Sequence, residues 1–472
     1  MTGDAASGGG PAGVAWSETD VRSALGLPPS ALAGPVTFGG ITTDSRAVRP
    51  GALFVALVGE RFDGHDYLGA AAASGARGAV VRRGTAPVPG LSLFEVADTL
   101  VALGDLARAR RRTITGPVVA ITGTTGKTST KEMLAAVLRT RYHVHATRAN
   151  LNNLIGVPLT ILEAPPEADA LVVEAGASVP GEVARARQVI EPDITVVTNA
   201  VAGHLEGFGS LAMVVEEKLS LTEGVALAVV GQEPPELAAG ARLRAREVRT
   251  AGLERADLVP DSVVVGADAR PVVSVGGQRF TLAARGLHQA DNAIRVWAVV
   301  EALGLDGRAA ARALEDFVIP SGRGEVMQIG GLTILNDCYN ANPQSFGSAI
   351  ETARVLRGTR RLVFLAGTMR ELGPASSALH AEIARALVDL EPDLLGAVGE
   401  FVPALAPYAG RLGDRLITAG DPVALGEGLA GRLTGDEVVV LKASRGVALE
   451  RILPALTAQA HPGAGNAPLR SR

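Results

Sequence analysis

The segment PVVAITGTTGKTSTKEMLAAVLRTR (117–141) constrains this chain more than any other. PVVAITG reads as a buried strand, and the apolar spacing after Ser129 predicts a helix. Between them, Gly123 and Gly126 let backbone N–H groups point into a concavity that accepts phosphate oxygens. Thr124, Thr125 and Ser129 complete the loop. Lys127 can neutralise β/γ-phosphates, and the Thr128 hydroxyl can ligate Mg²⁺. The loop is shorter than the usual G-x-x-x-x-G-K-[ST], with Ile121 where the first Gly would stand. The plain alternative is a Gly-rich turn before an ordinary helix, and the strand–loop–helix context weighs against it.

Such a unit needs a parallel sheet around it, and the chain supplies the strands. ALVVEAG (170–176) and DITVVTNA (193–200) are further apolar runs ending in polar residues. Short β-branched runs alternating with helical patterns argue for a parallel sheet with crossover helices. LTILND (332–337), RLVFLAG (361–367), LLGAVG (394–399) and EVVVLKAS (437–444) predict a second open α/β sheet. Ligands of such sheets sit at the carboxyl ends of the strands. Upstream, ALFVAL (52–57) and GAVV (78–81) predict a smaller unit, and DTLVALGDLARARRR (98–112) a helix leading out of it. At roughly 150 residues per domain, 472 residues give three domains. We place them at 16–98, 99–317 and 318–458, with untethered, Gly/Ala-rich ends at 1–15 and 459–472.

Composition narrows the function. A net charge of −4 argues against a nucleic-acid platform. One cysteine, Cys338, excludes a disulfide framework and a multi-cysteine zinc site, and reads as packing. No apolar run reaches the ~18 residues of a membrane span, and the first residues do not read as a signal peptide. A cytoplasmic soluble protein, most simply a monomer, is the expectation. The 45 basic residues include only four lysines, Lys127, Lys131, Lys218 and Lys442. A compact ammonium that can be deprotonated does what arginine cannot.

Glu174, ending the strand ALVV, is placed as a P-loop protein places its metal carboxylate. His204 lies just past another strand, where a structural histidine is the plain alternative. Lys218 on its own reads as a solvated helix lysine. Asn150, Asn152 and Asn153 suit turn chemistry. NDCYNANPQS (336–345) ends a buried strand with Asn336, Asp337, Tyr339, Asn340 and Asn342, too polar for packing alone. KASRG (442–446) repeats the theme with Lys442, Ser444 and Arg445.

Together these segments resemble the Mur ligase family, the ATP-dependent amide-bond synthetases of bacterial cell-wall precursors, over about residues 37–455. The short GTTGKTS is that family's own phosphate loop. TTDSRAVRPGALFVAL, GERFDGHDY, NLNNLIGVP, HLEGFG, RELG and NDCYNANPQS are similar to the member that adds D-alanyl-D-alanine. The DYAHTPD-like segment and DNPR motif of the sister that adds the third amino acid are not found. Three positions depart from the pattern: Thr368 for Asp, Ala443 for Gly and Gln289 for Asn.

The resemblance implies a three-domain α/β ligase: a small UDP-substrate domain, a central P-loop domain and a C-terminal Rossmann-like domain. Its implied substrates are ATP, UDP-N-acetylmuramoyl-tripeptide and D-alanyl-D-alanine, and its implied cofactor is Mg²⁺. Gly123 to Ser129 would cradle ATP; Thr128 and Glu174 would hold one Mg²⁺. His204 and a carbamylated Lys218 would serve a second. Asn292, Arg323, Asn336, Tyr339 and Asn340 would surround the adenosine. Ser45 and Arg46 would contact the uridine nucleotide, Asn152 the sugar–peptide, and Arg445 the substrate. A P-loop kinase or regulatory ATPase, another ligase of the family or the related folylpolyglutamate synthetase, and a non-catalytic nucleotide binder are the rival readings.

Overall fold

The computed structural model describes residues 14–30 and 36–460. Most of the two expected tails, 1–13 and 461–472, lies outside them. The last helix, Leu453–Ala460, runs two residues past the expected boundary at 458.

The N-terminal unit holds a four-stranded parallel sheet in the order Ile41–Thr42, Leu53–Val55, Gly78–Arg82, Ser92–Val96. The two expected strands form its middle. Asp98 then caps the helix Thr99–Arg111, accepting from the N–H groups of Leu100 and Val101 at 2.7 and 3.1 Å. Leu103 and Leu106 of this helix join one apolar cluster that runs from Phe38 and Phe94 to Val118 and Val173. Two buried guanidiniums fasten its end: Arg110 donates to the carbonyls of Ala164 and Pro165, and Arg111 to those of Ile190 and Glu191. The helix is thus packing shared by two units rather than a linker.

The central unit carries a six-stranded, wholly parallel sheet: Glu247–Thr250, Leu227–Val230, Ile194–Val197, Val118–Thr122, Ala170–Glu174, Val144–Ala146. Its inner strands are buried on both faces, so they read as continuous apolar runs rather than alternations. A three-stranded antiparallel sheet over Ser262–Thr281 was not expected from the sequence. Its first turn reaches into the third unit, where Ala269 is fully buried in the C-terminal core.

The C-terminal sheet has six strands: Glu325–Ile329, Leu332–Asp337, Val438–Lys442, Leu362–Ala366, Leu394–Val398, Leu416–Ala419. All pairings are parallel except that of Glu325–Ile329, an antiparallel edge strand. The four expected strands are its interior. Among the described residues no helix is long and apolar enough to cross a membrane.

Candidate active site

The phosphate loop follows strand Val118–Thr122 and opens the helix Lys127–Leu138. Gly126 sits at φ +79°, and a Cβ there would lie 2.6 Å from Asn292 Oδ1. Gly123 lies against Thr198, whose Oγ1 would be 1.9 Å from an added Cβ. The neighbouring strand end sets the loop's shape. Asn199 Oδ1 accepts from the N–H groups of Thr124 and Thr125 at 3.2 and 3.0 Å. Lys127 Nζ folds back onto the carbonyls of Gly123 and Thr124 at 2.7 and 3.1 Å. Burial lowers the pKa of this amine, and Glu174 opposes the shift.

Parallel pairing of Ile121 with Glu174 carries the acid to the loop. Thr128 Oγ1 donates to Glu174 Oε2 at 2.8 Å, and Asn152 Nδ2 donates to Oε1 at 2.8 Å. Thr147 Oγ1 accepts from the Glu174 N–H at 2.9 Å. Asn152 therefore orients the carboxylate. The side-chain donors at this point are a hydroxyl and a carboxylate, the hard oxygen set that suits Mg²⁺ completed by phosphate and water oxygens.

His204, in a left-handed conformation with φ +53°, ion-pairs through Nδ1 with Glu371 of the C-terminal unit. That contact is the main cause of the lowered Glu371 pKa, and it leaves Nε2 as the ring nitrogen that Glu371 does not engage. Lys218 lies on the helix Leu211–Leu219, 1% exposed, with Nζ 5.4 Å from the Phe208 ring centroid. Burial first and Lys127 second bring its pKa down to about 7, against Glu217 and Glu182. Glu217 is committed elsewhere: its oxygens accept from the N–H groups of Gly181 and Val183, both at 2.7 Å. No carboxylate among the described residues lies within ion-pairing distance of the Lys218 amine.

Across the cleft, the Arg323 guanidinium lies 3.9 Å from the Tyr339 ring centroid. Lys442, buried at the end of its strand, pairs with Asp337 Oδ2 at 2.7 Å and donates to Asn340 O at 2.6 Å. Arg445 pairs with Glu450 at 2.6 Å. The two faces enclose a cleft of about 610 Å³. Of the sequence-derived residues, Thr124, Thr125, Gly126, Lys127, Ser129, Asn152, Glu174, His204, Asn292, Arg323, Tyr339, Asn340 and Arg445 line it.

Others sit elsewhere. Gly123 and Thr128 are behind the loop's surface, and Lys218 is one layer beneath the lining. Asn336, 4% exposed, is not on the cleft: Leu335 and Asp337 line it, and strand alternation sends the residue between them to the opposite face. Ser45 and Arg46 form a one-turn helix in the N-terminal unit, away from the cleft. There Asp44 caps Arg46 N at 2.9 Å and pairs with its guanidinium at 2.8 Å. Cys338 is buried in apolar packing, as expected.

The departures have local reasons. Thr368 Oγ1 accepts from the Glu400 N–H at 3.0 Å, an acceptor's task that either residue type can perform. The Ala443 methyl is fully buried in the core. Gln289 lines the cleft and reaches Ser129 Oγ at 3.4 Å and Asn292 at 3.2 Å. Sequence reasoning missed His288, Glu371, Asn199 and Gln344. Burial, the largest cause, lowers the His288 pKa, with Lys442 in the same direction and Asp337 and Asp291 against it.

Three family models match. One described as "Mur ligase family, catalytic domain" covers residues 37–111, "Mur ligase middle domain" 121–300, and "Mur ligase, glutamate ligase domain" 322–445. The chain is 34% identical to UDP-N-acetylmuramoyl-tripeptide–D-alanyl-D-alanine ligase of Escherichia coli, over 89% of this chain and 94% of that one. A crystal structure of MurF from Acinetobacter baumannii is 27% identical, spans 94% of this chain and 99% of its own, and superposes with a TM-score of 0.84. MurF ligase from Thermotoga maritima in complex with ADP gives 28%, 90%, 98% and 0.79.

Proposed function

The chain belongs to the Mur ligase family, and on that premise we propose that it is the ligase that joins D-alanyl-D-alanine to the peptide carboxylate of UDP-N-acetylmuramoyl-tripeptide. It couples the joining to conversion of ATP into ADP and phosphate. The observation that carries this reading is one cleft with two faces. On one stands a phosphate loop with Glu174 hydrogen-bonded to Thr128; on the other stands the Arg323–Tyr339 stack at the end of a strand.

The chemistry follows from what a carboxylate lacks. It is a poor electrophile, so its oxygen first attacks the γ-phosphorus and ADP leaves. The dipeptide amine then attacks the acyl carbon. A tetrahedral intermediate collapses, phosphate departs, and the amine's proton is lost to base. Lys127 must leave the carbonyls of Gly123 and Thr124 to meet the phosphates, exchanging neutral acceptors for charged ones. Thr128 and Glu174, with Asn152 fixing the carboxylate, would hold a magnesium ion. Such an ion would neutralise charge on the transferring phosphoryl group. His204, turned by Glu371, and a carbamylated Lys218 would serve a second ion. The Arg323–Tyr339 face would receive the adenosine. Asn292, packed against Gly126 in the cleft wall, would hold the loop and face the adenosine. Arg445 would meet the substrate, and Ser45 and Arg46 the uridine nucleotide, at a distance from the chemistry.

We place the boundaries of the three units at 98/99 and 317/318, and the enzyme in the cytoplasm as a monomer serving cell-wall synthesis, cell shape and division. The test is a substrate panel with mass detection. Phosphate release must require both the UDP-linked tripeptide and D-alanyl-D-alanine, and the UDP-linked pentapeptide must appear. ATP hydrolysis without amide formation would instead support a kinase or regulatory ATPase.

A further inference from the structure

One side chain of the C-terminal unit reaches the phosphate loop itself. Thr125 Oγ1 donates to Gln344 Oε1 at 2.7 Å, and Gln344 Nε2 donates to Glu233 Oε2 at 2.5 Å. The amide orientation is forced, because a carboxylate accepts only from the nitrogen end. Thr125 Oγ1 itself accepts from Asn199 Nδ2 at 2.7 Å, and Glu233 O accepts from the Ala200 N–H at 2.8 Å. The bonds thus form a circuit that leaves the strand end at Asn199, passes through the loop and Gln344, and returns to Ala200. Gln344 is its one member from the C-terminal unit.

Gln344 is also rigidly mounted. It is the second residue of the helix Pro343–Arg357, whose start is locked by a reciprocal cap: Asn342 accepts from Ser345 N at 2.9 Å, and Ser345 Oγ accepts from Asn342 N at 3.0 Å. That helix follows directly from the segment carrying Tyr339 and Asn340. A shift of Thr125 therefore reaches the adenosine-facing side of the cleft through one side chain and a short, capped backbone.

We infer that Gln344 is a positioning residue that ties the pose of the C-terminal unit to the phosphate loop, so that the two faces are aligned for phosphoryl and acyl transfer. The inference rests on the ligase reading above. Gln344 makes no claim on substrate; its work is alignment, felt in turnover rather than in nucleotide affinity. The Asn199–Thr125 and Thr125–Gln344 links are partly buried and the Gln344–Glu233 link is exposed; linked hydrogen bonds reinforce one another, so breaking one link should weaken the others.

The experiment is a double-mutant cycle on the full-length enzyme: Gln344→Ala, Glu233→Ala and both together, with Glu233→Gln and Gln344→Glu as controls. Steady-state kcat and KM are measured with all three substrates, and ADP affinity by calorimetry. Gln344→Ala should lower kcat about tenfold while the ADP Kd stays within about twofold. The double variant should be no worse than Gln344→Ala alone, because the Glu233 carboxylate acts on the loop through Gln344. Glu233→Gln, which keeps an acceptor, should retain most of the activity. Gln344→Glu, which sets two carboxylates together, should fall below Gln344→Ala. Wild-type protein that forms no amide would refute the ligase reading. Amide formation by wild type together with unchanged kcat in Gln344→Ala, or multiplying losses in the double variant, would overturn the inference and leave the ligase reading intact.

Discussion

Lys218 stores a pH-dependent cost that can be read as stability. Its amine is 1% exposed, and burial and Lys127 hold its pKa at about 7 against an ordinary 10.5. At about 1.4 kcal/mol per pH unit, keeping that ammonium charged in the folded state costs up to about 5 kcal/mol. The sign follows from proton binding. Below pH 7 folded and unfolded chains both carry the proton, and the whole cost is present. Between 7 and 10.5 the unfolded chain binds a proton that the folded chain does not, so stability rises with pH. Above 10.5 the cost is gone. Lys218→Met keeps a long apolar stem and removes the amine. Urea unfolding of both proteins in CO₂-free buffer should show the variant more stable at pH 6, by about 3–5 kcal/mol. The gap should close as pH rises toward 10. Added bicarbonate at pH 8 should stabilise wild type alone, because only a lysine can form a carbamate there. A gap that stays constant between pH 6 and 10 would refute the reasoning.

Three more outcomes are expected. Lys127→Ala should still fold cooperatively but lose about a hundred- to a thousandfold in kcat, measured as phosphate release. Gly126→Ala imposes a positive φ on a residue with a Cβ aimed at Asn292. It should cost about 1–3 kcal/mol in denaturant unfolding and weaken ADP binding in calorimetry. Lys218→Ala should be nearly inactive and partly restored by acetate, whereas Lys218→Arg should be inactive with or without acetate; full activity of the Arg variant at limiting Mg²⁺ would mark Lys218 as a bystander.

What the sequence makes legible here is what adjacency determines. The loop from Gly123 to Ser129 lies between one strand and one helix, so its composition alone announces its shape. Glu174 ends its own strand, and parallel pairing in register with Ile121 is enough to bring it to Thr128. The helix Thr99–Arg111 was legible as a helix but not as the shared wall of two cores. That depends on carbonyls of Ala164, Pro165, Ile190 and Glu191, which the helix sequence does not mention.

What the sequence leaves open concerns direction and distance. Asn336 and Asp337 are neighbours with similar chemistry, and the family resemblance implies Asn336 as an adenosine contact. On a strand, adjacent side chains point to opposite faces, so only one of the two can line the cleft. Leu335 decides it: it shares a face with Asp337, and both line the cleft. Glu371 and Gln344 were out of reach for a different reason. Each meets its partner across a boundary between two separate sheets, 167 and 219 residues away in the chain for His204 and Thr125. Local propensity and periodicity specify each sheet, but the pose of one against the other is specified by contacts of this kind. The residues that set the pose are polar, partly exposed and ordinary in their own segments. A ligase whose two reacting faces stand on separate sheets must therefore carry part of its catalytic geometry in side chains that no single segment of sequence marks.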